Sequence, residues 1–289
     1  MVVISERSVK RIIEDVASKV ERLTGWDPQL DTLSVKLVDR DQLWEHATKP
    51  RYERLGIDTG ADTPAGKKAR LITKHVMSYF ILGQYEMTTD TLLIIPANLG
   101  FGTNESGLAT ILGHELTHRC QFKCNPKFAR LYPSLVKKVT GSKAFEEDPQ
   151  EDESYMKYLQ AYMTLVEGDA THVQDQLKKM FFQDAESKSA SASEFLGLIP
   201  ILYNMRDTGA VDSASRGGCG GLGQKMKQYS EGKKIVGRIY EREGREAVNQ
   251  LYNLSIKQLL SRFGEDSPFE NLFRSLKFKV READGNDFG

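Results

Sequence analysis

Apolar residues recur at helical spacing from the first segment: Val9, Ile12, Ile13, Val16, Val20 and Leu23 form one stripe between Ser5 and Thr24. Ser5 suits a helix cap and Gly25 a helix stop, so both ends of an amphipathic helix are marked. Residues 33–38 (Leu-Ser-Val-Lys-Leu-Val) alternate apolar and polar with period two and predict a strand with one wet face. Residues 41–70 hold Pro50, Gly56, Gly60, Pro64 and Gly66, which predicts a helix followed by a long loop. Two extended runs follow, 80–87 and 91–96, with Thr88-Thr89-Asp90 between them as a hairpin connection. The second run leads through residues 98–104 into a helix.

From there the pattern is almost wholly helical. A helix is expected from about 105 to 125, stopped by Pro126, then an acidic loop around 143–153. A long helix from about 154 to 182 carries Tyr155, Leu159, Tyr162, Val166, Val173, Leu177 and Met180. Residues 183–193 are polar and rich in serine and alanine, and 206–223 are thick with glycine and serine; both read as connections. A further helix carries Leu222, Met226, Tyr229, Val236 and Ile239, and 282–289 form a polar tail. No internal repeat is present. The expectation is one α+β, mainly helical domain over 1–289. Its amino-terminal lobe, about 1–125, holds a small sheet, and a helical lobe covers about 126–289.

Composition narrows the function. With 39% hydrophobic and 28% charged residues, the chain belongs with soluble globular proteins rather than disordered ones. Lys plus Arg total 40 and Asp plus Glu total 40, so no net charge draws it to nucleic acid or an anionic membrane, and neither is expected as a partner. The longest apolar run is a strand's length, far short of the ~20 residues a bilayer needs. The first residues show no basic flank followed by an apolar stretch, and three cysteines make no disulfide framework. The expected compartment is the cytoplasm.

The chemistry lies in Ile111-Leu112-Gly113-His114-Glu115-Leu116-Thr117-His118. On a helix, positions four apart are offset by only ~40°, so His114 and His118 reach one point beside it. Glu115, one step round, stands next to that point, where it can take a proton from a water activated by metal. Zinc is the ion expected for two imidazoles and a carboxylate with a fourth position open. The third ligand candidate is Glu167, 49 residues after His118 at the border of an apolar stripe, where an unpaired carboxylate is costly. Asp169, His172 and Asp175 compete for that role. Cys120 and Cys124 point round the helix away from the histidines and read as small packing residues. Gly218-Cys219-Gly220-Gly221-Leu222-Gly223 matches a dinucleotide fingerprint, but no strand precedes it, so no nucleotide cofactor is expected. The acidic residues 146–153 read as a solvated loop.

Four segments carry a family resemblance: residues 81–85 (Ile-Leu-Gly-Gln-Tyr), 93–98 (Leu-Ile-Ile-Pro-Ala-Asn), 114–122 (His-Glu-Leu-Thr-His-Arg-Cys-Gln-Phe) and 165–170 (Leu-Val-Glu-Gly-Asp-Ala). With residues 223–234 around Gln228-Tyr229, they resemble a family of zincin-like metallohydrolases. Many of its members are labelled as hydrolases associated with deazaflavin-coenzyme biosynthesis. The resemblance runs from about Ile81 to Asn253. It implies a zincin-like fold with the small sheet beside the active-site helix, a metal triad of His114, His118 and Glu167, and Glu115 as general base. Such families often place an acidic residue soon after the third ligand to hold a histidine; here Ala170 and Thr171 stand there, with Asp169 or Asp175 as substitutes. Tyr229, His172, Tyr162 and Arg119 are candidates to stabilise the oxyanion, and Tyr229 leads because it falls inside the resemblance. The expected activity is zinc-dependent peptide hydrolysis. The rivals are hydrolysis of a small non-peptide amide or ester, and a non-catalytic scaffold joined by metal.

Overall fold

In the computed structural model, which describes residues 4–54, 56, 81–99, 104–141, 149–182 and 220–264, the first helix, α1 (Glu6–Thr24), is bounded as its sequence requires. Side chains of 136–158, 160, 220–229, 256, 260 and 264 lie outside that description. The Ser5 hydroxyl accepts from the Ser8 N–H at 3.2 Å, and Gly25 closes the helix at φ 71°, a left-handed conformation that costs glycine nothing. Val9, Ile12, Ile13, Val16 and Val20 form the buried face.

Strands β1 (Ser34–Leu37), β2 (Gly83–Glu86) and β3 (Thr91–Ile94) form a mixed sheet in the order β1-β3-β2. β1 runs parallel to β3 with Val35 opposite Leu92, and β2 runs antiparallel with Tyr85 opposite Leu92. Only the central strand is apolar on both faces, because both are covered. Leu92 and Ile94 enter a core shared with α1, while Leu93 and Ile95 pack with Val38, Leu43 and Ala47. β1 keeps the expected wet face, with Ser34 and Lys36 exposed. The expected hairpin forms, and Asp90 at its end takes φ 48°. Its carboxylate accepts from Arg119 Nε (2.8 Å) and Nη2 (2.9 Å), Lys123 Nζ (2.8 Å), Thr32 Oγ1 (2.7 Å) and Tyr85 Oη (3.0 Å). These bonds tie the hairpin to the helix bearing the two histidines.

The helices differ from expectation mainly at their starts. Within 41–70, a π-turn at Trp44–Thr48 runs into α2 (Lys49–Arg54). Helix α3 (Glu105–Lys123) is capped by the Asn104 side chain, and Pro126 opens α4 (Pro126–Gly141) as well as ending its predecessor. A proline is harmless in a first turn, where its missing N–H has no partner to lose. For the same reason α5 (Pro149–Phe181) begins at Pro149, so residues 149–153 are helical and not loop. Likewise Gly220–Gly223 belong to α6 (Gly220–Glu243), which corrects the loop expected there. Two short helices unmarked in the sequence reading, α7 (Arg245–Leu251) and α8 (Ile256–Gly264), follow. The loops expected at 57–70, 143–148, 183–193 and 206–219 and the tail at 282–289 lie outside the described residues, as does the start of the extended run at Phe80.

The fold is α+β and mainly helical, with its small sheet against α3. Helix α5 serves two cores: Val173 and Leu177 join α1, α3 and the sheet, while Ala161, Tyr162, Leu165 and Val166 join α4, α6, α7 and α8. Two glycines set the helix distances. A Cβ on Gly113 would collide with Leu177, and one on Gly168 would collide with the backbone of Gly232 in α6. Residues 114 and 167 follow and precede these contacts directly, so close helix approach is built in beside both. No helix among the described residues is long and apolar enough to cross a membrane.

Candidate metal centre

α3 is buried almost all round, including Leu108, Leu112, His114, Glu115, Leu116, Arg119, Cys120 and Gln121. It presents His114 and His118 towards α5, where Glu167 meets them. His114 Nε2 and His118 Nε2 are 3.1 Å apart, and Glu167 Oε2 lies 3.5 Å from the first and 3.3 Å from the second. The three side chains are 9%, 12% and 6% exposed, so the donors meet in a nearly dry recess.

The donor set fits a divalent cation. A tetrahedral zinc with bonds of about 2.0–2.1 Å has donor atoms roughly 3.4 Å apart, and the observed triangle has that size. The residues and their spacing suit nitrogen-and-oxygen coordination with one face left open. In the metal-free protein, burial works against charge on His118, but the Glu167 carboxylate outweighs it and raises the pKa to about 9.

The tautomer of His118 follows from its neighbour. The Gln121 amide nitrogen donates to Val166 O (3.0 Å) and Asp169 Oδ2 (3.3 Å), both pure acceptors, so the amide oxygen must face His118. That oxygen is 2.9 Å from His118 Nδ1, which is therefore the donor, so Nε2 is the nitrogen whose lone pair a metal would take on displacing its proton. Behind Gln121, Asp169 is wholly buried and receives Arg245 Nη1 (2.6 Å) and Nη2 (3.1 Å) and Tyr252 Oη (2.9 Å). Burial opposes its ionisation, yet Arg245 outweighs this and holds its carboxyl below the usual range. Arg245 also donates to Thr24 O (3.1 Å) and lies 5.2 Å over the Trp26 ring, so the chain of contacts ends on α1 and its outgoing turn.

On the other side, Glu115 Oε2 accepts from the Tyr85 N–H at 2.7 Å. The carboxylate reaches β2 because Gly83 has no side chain: a Cβ there would press on Glu115 Cγ and Ile111 Cγ2 at 3.3 Å. Glu115 adds to the charge that raises the His118 pKa, so it lies within electrostatic reach of the triangle.

His114, His118 and Glu167 are thus brought together, with Glu115 beside them. The rival ligands stand apart from the triangle. Asp169 belongs to the Arg245 cluster, Asp175 pairs with Lys233 and Lys178, and His172 packs at the α5–α6 contact, its ring 4.9 Å from that of Tyr240. Among the oxyanion candidates, Arg119 is fully buried on Asp90 and the Tyr162 hydroxyl donates to Leu254 O at 3.5 Å. Tyr229 lies in α6, but its side chain is outside the described residues. Cys120 packs in the core with Sγ 3.7 Å from Trp26 O. Sequence reasoning did not single out Gln121 or assign Arg245; three residues after His118, Gln121 was signalled only by helical spacing.

No protein-family model and no curated protein matches the chain. Its fold is similar to a crystal structure from Chloroflexus aurantiacus described as "a putative hydrolase with a novel fold". The TM-score is 0.56 and the identity 17%, over 93% of this chain and 89% of that one. At that identity the likeness concerns the fold.

Proposed function

We propose that the chain is a zinc-dependent hydrolase of zincin type that cleaves amide bonds, with peptides as the substrate class. The observation that carries this reading is the convergence of His114 Nε2, His118 Nε2 and Glu167 Oε2 with Glu115 beside them. The description of the Chloroflexus protein as a hydrolase agrees with it. The ion contributes Lewis acidity, which makes water a nucleophile near neutral pH and polarises a carbonyl. The chain's own residues do the rest. Glu115, steered through Oε2 by the Tyr85 N–H, takes the proton of the attacking water on its other oxygen and delivers it to the departing nitrogen.

The sheet favours an extended substrate. Ile95 N donates to Leu82 O, which sets the ladder phase: Leu82, Gln84 and Glu86 bond towards β3, and Gly83 and Tyr85 face away from it. The outward backbone of Gly83 lies beside Glu115 and suits a chain laid along the sheet edge.

Elemental analysis is expected to find stoichiometric zinc in wild type and little in His118→Ala or Glu167→Ala. A panel of quenched peptides is expected to be cleaved by wild type and left intact by Glu115→Gln with its zinc retained. Silence of the zinc-loaded wild type across that panel would remove the peptidase assignment and favour a small amide or ester. Absence of zinc would remove the whole reading.

A further inference from the structure

Attack on a carbonyl moves the π pair onto oxygen, and that oxygen needs a donor already in place. Arg119 and Tyr162 are hydrogen-bonded elsewhere, and the His172 ring packs against Tyr240 at the α5–α6 contact. Another hydroxyl lies in line with the ligands. His114, His118 and Phe122 follow at four-residue spacing on α3, and Met163 stands four residues before Glu167 on α5. Phe122 and Met163 therefore each extend a ligand stripe by one turn. Tyr132, on α4, touches both. Its ring centroid lies 5.4 Å from that of Phe122 in an edge contact, and its hydroxyl donates to Met163 Sδ at 3.3 Å. The ring is thus placed beside Phe122 and the hydroxyl beside Met163, whose backbone position is about one helical turn, roughly 6 Å along α5, from that of Glu167. The charges of Glu167 and Arg51 both act on it.

We propose that Tyr132 is a catalytic residue of this site, donating a hydrogen bond to the substrate oxygen as that oxygen gains negative charge. This rests on the hydrolase reading and names a residue which that reading lacks. In the step, water oxygen bonds to the carbonyl carbon, the C=O π bond breaks towards oxygen, and the water proton passes to Glu115. The Tyr132 proton stays on its own oxygen. Three properties suit the role. A thioether is a weak acceptor, so exchanging Met163 Sδ for an oxyanion gives up little. A phenol with an ordinary pKa of about 10 keeps its proton at neutral pH. The ring is held by Phe122 and, at 5.8 Å, by Phe128, so its direction is preset. Arg51, its side chain 28% exposed, stands on the same wall bonded to buried Glu86 through Nε at 3.0 Å, so its charge there is balanced by that carboxylate.

Calorimetric titration of the zinc-loaded protein with inorganic phosphate, a tetrahedral oxyanion, tests this without a substrate. Tyr132→Phe is expected to weaken phosphate binding about tenfold or more, with zinc content and the unfolding midpoint unchanged. Met163→Leu removes the competing acceptor and keeps the hydroxyl, so it is expected to bind phosphate equally or more tightly. Equal affinity in Tyr132→Phe and wild type overturns the assignment, as does a wild type that holds zinc but no phosphate. A loss in Met163→Leu as large as in Tyr132→Phe puts the effect in packing and also overturns it. A wild type that does not retain zinc overturns the metal-site reading itself, and this assignment with it.

Discussion

The two walls of the His114–His118–Glu167 triangle are built differently. On the α7 side, the groups behind His118 form a connected series: Gln121 bridges His118 to Asp169, and Arg245 and Tyr252 hold Asp169. On the sheet side, Glu115 has one oxygen on a backbone N–H, and the Tyr132 hydroxyl rests on a sulfur. The first wall resists rearrangement, because each bond broken would leave a buried charge or dipole unpaired. The second holds groups in direction while leaving them exchangeable. This pairing suits the proposed function, in which one wall grips an ion and the other admits a reacting molecule.

Three changes break or sharpen this contrast. The largest effect is expected from Asp169→Ala, which strands Arg245 with its side chain only 15% exposed. Removing one member of such a pair costs about 3–5 kcal/mol, readable by urea unfolding of the metal-free protein. A loss below ~1 kcal/mol would mean that the wall is not rigid. Gln121→Leu comes next. Zinc affinity by chelator competition is expected to fall about 10–100-fold, and an affinity equal to wild type would show that the amide does not orient His118. Proton–nitrogen NMR of the zinc-loaded wild type is expected to show His118 protonated at Nδ1; protonation at Nε2 alone would contradict the amide orientation.

The smallest effect concerns acid. Burial opposes ionisation of Asp90, but hydrogen bonds from Arg119 and Lys123 outweigh it and hold its carboxyl well below the usual range. A depressed carboxyl contributes stability that is present above its unfolded pKa, near 3.9, and is lost as pH falls through the folded value. Asp90→Asn should therefore lower stability at neutral pH and flatten the decline below about pH 4. An acid limb identical to wild type would show that the hairpin anchor is not electrostatic. Because this carboxylate sits at the hairpin, the change should leave zinc affinity nearly untouched.

Much of this architecture was legible because it rests on local signals. Ser5 and Gly25 mark α1, the alternation around Val35 marks β1, and His114 and His118 share a face by helical period alone. Glu167 was legible as a carboxylate bordering an apolar stripe. The element starts at Pro149 and Gly220 were misread because proline and glycine also punctuate loops, and a first helical turn tolerates both. Asp169 competed with Glu167 as a ligand because the two are neighbours on one helix. Which of them faces α3 and which faces Arg245 depends on how α5 is rotated, and that rotation is set by Gly168 against Gly232 and by Leu177 against Gly113.

Spacing along single helices and strands thus determined the elements and the pairing of two imidazoles, since helical and strand periods act over a few residues. The partners Gln121–Asp169–Arg245, the approach of Tyr85 to Glu115, and the placement of Tyr132 between α3 and α5 were decided by packing. These contacts join residues from 10 to 76 positions apart, and no period along the chain encodes the angle at which two helices cross or the edge a strand presents.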